Sequence, residues 1–365
     1  MRWNRHRRLA GLLLSQSILA TSCPELIAQD RSRPENDPWR TQSTRSRQVP
    51  IVDPQPFSLN DPLAFNPEDP EVSGDVPIAK ESTSVSTVSD PEPLLLKGFL
   101  YGDPHFRDKP RPVGSPFYFE DPFINSDARL IYMYHKIPGS SALKGGDLNV
   151  YALQLRLALT DRLQFTATCD GYSHLESPIL DDDSGWNDLA LGAKYALYID
   201  HENDFLVSTG LKWRLSNGHA KTLHGNVDEL TPYLSAYKGW GKWHFIADVA
   251  GRIAMDEHRG NHLLSYNLST SYEVLENLFF PLVEFHGVHY LSNGDRLPLD
   301  IGGLDYANIG SNDVAGHAAF WGGVGARWHI VEHVSWGAVW EFPMQTTTNN
   351  DIFDYRVTTN LIFTF

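Results

Sequence analysis

The side chains with the clearest capacity for chemistry are His289 and Ser292, in the stretch His289-Tyr290-Leu291-Ser292-Asn293-Gly294. A histidine next to a serine can act as base and nucleophile, provided both project to one face. Here the spacing is three, and period-2 strand geometry sends the two to opposite faces unless a bulge intervenes. Ser-Asn-Gly is also an ordinary turn sequence, seen again at Ser216-Asn217-Gly218. Asp181-Asp182-Asp183 offers the oxygen ligands that Ca²⁺ needs, but three consecutive acids in a loop are ordinarily just solvated. The histidines form no tight cluster, and His286 and His289 point to opposite sides of a strand. No metal, no cofactor and no catalytic constellation is expected.

A different set of charged residues recurs at alternate positions within apolar stretches. It comprises Arg156, Asp170, Lys194, Lys212, Arg214, Asp248, Arg252, Glu284, His286, Arg327, Glu341 and Arg356. Residues of both signs on one face of a series of strands suit the inside of a barrel. There they either meet a passing solute or pair across neighbouring strands to fill the interior.

The elements that position them are legible. From about Ser126 to Phe365, segments of roughly ten residues alternate in polarity and are separated by turn signals. Tyr151, Leu153, Leu155, Leu157 and Leu159 share one face, and Asn149, Gln154 and Arg156 are read on the other. Phe205, Val207, Thr209, Leu211, Trp213 and Leu215 alternate with Ser208, Lys212 and Arg214. The final strand sets Tyr355, Val357, Leu361, Phe363 and Phe365 against Arg356, Thr358, Asn360 and Thr364. Such segments number about twelve, an even count of the kind outer-membrane barrels have. Short links around Asp161, His201, Trp240, Glu276 and Glu332 alternate with long ones around Leu143, Asp182, Leu223, Asp256, Leu304 and Asn349. This is the rhythm of periplasmic turns and external loops. A soluble β-sandwich shares the alternation, but Trp and Tyr near so many strand ends suit a lipid interface better.

Ahead of the strands the chain changes character. Arg2, Arg5, Arg7 and Arg8 precede an apolar stretch from Leu9 to about Ala20, so residues 1–28 read as a signal peptide cleaved after Ala28. Residues 29–93, rich in Pro, Ser, Asp and Thr, lack periodicity and read as a disordered periplasmic linker. Residues 94–125 mix apolar side chains with Pro104, Pro110, Pro112, Pro116 and Pro122, which forbid regular pairing. This stretch either leads into the barrel or plugs it. Residues 126–365 are the barrel itself.

Composition agrees and excludes other classes. Aromatics reach 12% while mean hydropathy is −0.33, as expected when lipid-facing residues are apolar and the lumen and loops polar. A net charge of −15, with no basic stripe, argues against a nucleic-acid partner. Past the N-terminus no apolar run reaches eighteen residues, which excludes a helical span. Cys23 and Cys169 do not make a disulfide framework.

The stretch from Gly185 to Tyr198, GWNDLALGAKYALY, resembles a recurring strand of the phenol meta-pathway family of outer-membrane proteins. The matching positions are Gly185, Asp188, Leu189, Lys194 and Tyr195. The next strand, Phe205 to Ser216 with Asn217-Gly218, corresponds to the family's following element, although the proline of its usual Pro-Thr-Gly-like turn is absent. The resemblance implies passage of small solutes, hydrophobic or aromatic compounds among them, and carries no substrate-binding residue over.

The sequence thus predicts an all-β, closed antiparallel transmembrane barrel of about twelve strands with a disordered N-terminal arm, in a bacterial outer membrane. Its expected role is a channel or uptake protein for small solutes. The alternatives are a non-conducting structural barrel of the envelope and a barrel-type lipid hydrolase using His289 and Ser292. Expected partners are outer-membrane lipid and lipopolysaccharide, the barrel-assembly machinery and the solutes themselves.

Overall fold

A computed structural model describes residues 98–141, 143–178, 183–219, 227–344 and 353–365. The expected signal peptide and linker, Asp181, Asp182 and the centres of the loops around Leu223 and Asn349 lie outside the described residues.

The strands are β1 (Asp127–Ile137), β2 (Gly146–Ala158), β3 (Leu163–Glu176), β4 (Asp183–Trp186), β5 (Leu189–Asp200), β6 (Phe205–Leu215) and β7 (Glu229–Trp240). They continue as β8 (Trp243–Ala254), β9 (Leu263–Tyr272), β10 (Phe279–Tyr290), β11 (Ala318–Val331), β12 (Val334–Pro343) and β13 (Tyr355–Thr364). Apart from β4 and β5, successive strands pair antiparallel, and β1 pairs with both β2 and β13, so the sheet closes on itself. β4 and β5 both pair with β3 and are two pieces of one stave broken at Asn187 and Asp188. The barrel therefore has twelve staves.

That break faces a bulge. The register of β2 against β3 shifts between Tyr151 and Leu153, opposite Gly171, whose φ is +84°. A Cβ there would drive into the Tyr151 carbonyl oxygen, so only glycine fits. Asn187 at the break donates its backbone N–H to Gly171 O at 2.7 Å, and its buried side chain donates Nδ2 to Ser173 Oγ at 2.7 Å.

Closure is what lipid demands, since an open edge would leave backbone groups with no partner in hydrocarbon. The outer surface confirms which solvent the barrel meets. Leu153, Leu191, Leu211, Leu234, Val249, Leu268, Val283 and Val324 form an exposed apolar belt. Tyr198, Trp240, Trp243, Tyr272, Trp328 and Phe365 ring its short-turn end; Tyr151, Tyr172, Trp186, Trp213, Trp340 and Tyr355 ring the other. Two aromatic girdles about an apolar band mark an outer-membrane barrel, and the protein belongs in a bacterial outer membrane. Among the described residues no helix is long and apolar enough to cross a membrane.

The short connections fall where the sequence predicts them, after β2, β5, β7, β9 and β11. One face assignment is corrected. Asn149 has the outward parity of Tyr151 rather than the inward parity of Gln154, and it accepts a hydrogen bond from Tyr132 Oη at 2.9 Å.

Val283 lies near the middle of β10 on the lipid face, 60% exposed. Val283→Arg should destabilise the folded barrel by roughly 2–4 kcal/mol, the cost of a cation at mid-bilayer. Reversible folding into lipid vesicles checks this; a loss below about 1 kcal/mol would put Val283 outside the hydrocarbon band.

Candidate functional site: a charged lumen occupied by the chain's own segment

Residues 98–126 lead into the barrel: Phe99, Leu100 and Tyr101 are exposed at its mouth, and from Pro110 onward the segment runs inside. The segment enters at the short-turn end, where Leu100 N donates to Ala158 O at 2.9 Å, climbs, reverses near Ser115 to Phe117 and returns to begin β1 at Asp127. Its two legs meet at the base, where Asp103 N donates to Ile124 O at 3.0 Å. Gly102, at φ +69°, lets them touch, because a Cβ would strike the Ile124 carbonyl. Every residue from Pro110 to Asp127 is buried. We refer to residues 98–126 as the plug.

Prolines at 110, 112, 116 and 122 deny the plug both helix and ladder hydrogen bonds, and its only regular element is the single 3-10 turn Pro104–Phe106. Buried carbonyls must nonetheless find donors, and the wall supplies them. Arg327 donates to Arg111 O (2.8 Å) and Pro112 O (3.0 Å). Gln154 donates to Pro116 O (2.9 Å), Lys212 to Phe117 O (2.6 Å) and Asn267 to Tyr118 O (3.2 Å). Ser208 donates to Pro122 O (2.6 Å), Lys194 to Phe123 O (3.2 Å) and Gln164 to Asn125 O (2.6 Å). In the opposite sense, Glu284 accepts from the backbone nitrogens of Val113 (2.9 Å) and Gly114 (2.7 Å).

Charge pairs add a second layer. Glu120 meets Lys212 at 2.9 Å and Arg156 at 3.2 Å, while Asp121 meets Arg129 at 2.5 Å and Lys194 at 3.5 Å. Asp127 pairs with Arg111 and Arg129. On the far side, Glu229 holds Arg214 (3.0 Å) and Arg252 (3.0 Å), and the Arg252 guanidinium lies 3.8 Å from the centre of the Tyr118 ring. Arg356 reaches Glu341 at 2.6 Å and Asp305 at 2.7 Å. Asp305 comes from the loop between β10 and β11, which folds inward and meets the plug through Ser115 Oγ at 2.8 Å.

Apolar layers close both ends of this charged middle. Phe106, Phe119, Phe123 and Ile124 pack with Ala158, Leu206, Tyr237 and Ile246 on the short-turn side. Phe117 and Tyr118 pack with Ile131, Met133, Val150 and Tyr306 on the long-loop side. Water is thereby kept from the ion pairs, which strengthens each of them.

Of the residues read from the sequence as facing the lumen, Arg156, Lys194, Lys212, Arg214, Asp248, Arg252, Glu284, His286, Arg327, Glu341 and Arg356 are all buried inside the barrel. Asp170 sits on β3, and its side chain is outside what the structure describes. Asp248 accepts from Asn267 at 2.8 Å, and His286 Nδ1 shares a 2.7 Å hydrogen bond with Asn267 Oδ1. The sequence reading did not single out Arg111, Glu120, Asp121, Arg129, Glu229 or Asp305. Arg129 and Glu229 carry the inward parity of their strands and were open to the same reading; the others sit in irregular segments where no period exists.

His289 and Ser292 do not form a couple. Ser292 Oγ accepts from His262 N at 2.8 Å, and among the described residues no hydrogen bond links it to His289. No group of metal-binding side chains occurs among the described residues.

In comparisons with known proteins, no family model and no curated protein matches this chain. Solved structures do. The chain is similar to a COG4313 outer-membrane channel from Pseudomonas putida F1, with 14% identity and a TM-score of 0.48, covering 70% of this chain and all of that one. It is similar also to the NanC porin (11% identity, TM-score 0.41, covering 65% of this chain and 98% of that one). For the KdgM porin the figures are 10%, 0.36, 66% and 99%.

The plug is latched at its foot by Asp204, in the turn between β5 and β6. This carboxylate takes Lys109 Nζ at 2.7 Å, His105 Nε2 at 3.0 Å and Tyr237 Oη at 2.9 Å. Burial opposes its ionisation, but the hydrogen bonds from Lys109, Tyr237 and His105 outweigh burial and hold its pKa below the usual aspartate value. The contribution of the latch is then complete above about pH 4, the unfolded value, and is lost as pH falls through the lower folded one. Hydrogen-exchange protection of residues 105–109 should not fall between about pH 8 and pH 5, and should collapse only in stronger acid. Asp204→Asn should lower it throughout the range from about pH 8 to pH 5, where the wild-type carboxylate is ionised; unchanged protection in that variant would remove Asp204 from the latch.

Proposed function

We propose that the protein is a gated outer-membrane channel for small solutes, held shut by its own plug. The carrying observation is the polar character of the interface between plug and wall. A barrel filled permanently would be held at least as well by apolar packing, because replacing buried ion pairs with well-packed hydrophobic side chains is often neutral or stabilising. This wall instead presents Lys, Arg, Glu, Gln, Asn and Ser, side chains that water and solutes satisfy when the plug leaves. The sheet does not depend on the plug either. β1 pairs with β2 from Asp127 to Ile137 and with β13 from Asp127 to Lys136, and no plug residue belongs to a strand ladder.

Aromatic solutes fit this reading. Tyr237, His286 and Trp321 are buried on the wall, and His286 and Trp321 stack at 5.5 Å. An aromatic ring would find the partners that the plug's rings now occupy, Phe123 against Tyr237 and Phe119 against His286. The second reading, a structural barrel that conducts nothing, is favoured by how completely the described lumen is filled.

A reversible lock separates the two. In a chain lacking its other cysteines, Ser115→Cys combined with Asp305→Cys joins the plug to the inward loop under oxidising conditions. Conductance events in planar bilayers should vanish on oxidation and return with reductant. Conductance that is absent in both states, in barrels shown to be folded, selects the structural reading.

A further inference from the structure

Two lysines of the wall, Lys194 on β5 and Lys212 on β6, are buried, and among the described residues their hydrogen bonds and ion pairs all run to the plug. Lys194 has Phe123 O and Asp121; Lys212 has Phe117 O and Glu120. Arg156 on β2 is shared between Glu120 and, at 3.7 Å, Asp127 of the wall. Arg129 on β1 holds Asp121 and also Asp127. When the plug withdraws, Glu120 and Asp121 leave with it. Lys194 is then left with no ion-pair partner among the described residues, Lys212 keeps only the weaker attraction of Asp248 on β8, and Arg156 and Arg129 are left to share Asp127.

Four cations on β1, β2, β5 and β6 thus line one sector of a narrow, low-dielectric passage. Such a wall focuses potential and concentrates anions. Lys212 and Arg156 to Glu120, and Arg129 to Asp121, are charge-assisted hydrogen bonds, the strong kind, and Lys194 adds the attraction of an ion pair at 3.5 Å to Asp121. The arrangement now satisfied by the plug divides into two carboxylate positions. One is bounded by Lys212 and Arg156, the other by Lys194 and Arg129.

We propose that this sector is a binding site for small dicarboxylates, and that Glu120 and Asp121 are internal stand-ins occupying its two positions while the barrel is shut. The proposal rests on the gated reading above and adds the solute's charge and valence. A dicarboxylate that binds only the wall freed of plug must also favour release of the plug, since a ligand shifts an equilibrium toward the state it prefers.

Hydrogen exchange on the wild-type full chain in detergent tests the competition without any substitution. Amides from Val113 to Ile124 should exchange several-fold faster in succinate than in succinamide at matched ionic strength, while β7 to β9 do not change. Equal rates would overturn the proposal. Calorimetry on the double variant Glu120→Gln, Asp121→Asn, its folding checked by heat-modified migration, tests the site directly. Succinate should bind at least about ten-fold tighter than to wild type, because the internal competitor is gone. Adding Lys194→Met and Lys212→Met should abolish that binding. A folded double variant that shows no saturable succinate binding would overturn the site. Conductance keeps the two readings apart: a chain that gates but binds no succinate loses only the dicarboxylate site, and one that binds succinate yet never conducts loses only the channel.

Discussion

Lipid offers a backbone no hydrogen-bond partner, and the whole molecule follows from that constraint. The sheet must close, and closure with period-2 side-chain alternation divides every strand between hydrocarbon and lumen. Leu155 faces outward because Arg156 faces inward. The charged interior is the other half of the same alternation, and it needs a filling that can answer its donors and acceptors.

The plug answers them because it is irregular. A helix in the lumen would spend its carbonyls on itself, and a strand would need a neighbouring strand to take them up. The proline-rich segment leaves them available, and wall side chains from Lys194, Lys212, Arg327, Gln154, Gln164, Asn267 and Ser208 take them up. Gly114 shows how close the fit is: a Cβ there would crowd Glu284 and His286, so glycine lets the backbone sit on the Glu284 carboxylate.

Legibility in the sequence tracks periodicity. Strand faces, the even count and the buried positions Arg156, Lys194, Lys212, Arg214, Arg252, Arg327 and Arg356 were readable because alternation repeats along ten or more residues. Asn149 was assigned to the wrong face on the strength of its polar side chain, although it shares the parity of Tyr151 and Leu153 on β2, whose alternation runs unbroken. The plug was visible as a stretch that could not be a strand, but its place was open, because the contacts that fix it join residues far apart in the chain. Val113 and Glu284 are 171 positions apart. The inward loop was missed for the same reason: Asp305 and Tyr306 look like ordinary loop residues until Arg356, Ser115 and Asn187 surround them.

The plug returns to the base of the barrel and runs without interruption into β1, Ser126 being followed at once by Asp127. A displaced plug therefore cannot diffuse away. Its return is a first-order event governed by effective concentration, which for short flexible tethers is of millimolar order. Any free molecule that holds the passage open must outcompete a neighbour present at that local concentration. The threshold for opening is accordingly set by the geometry of the chain as well as by the affinity of the wall.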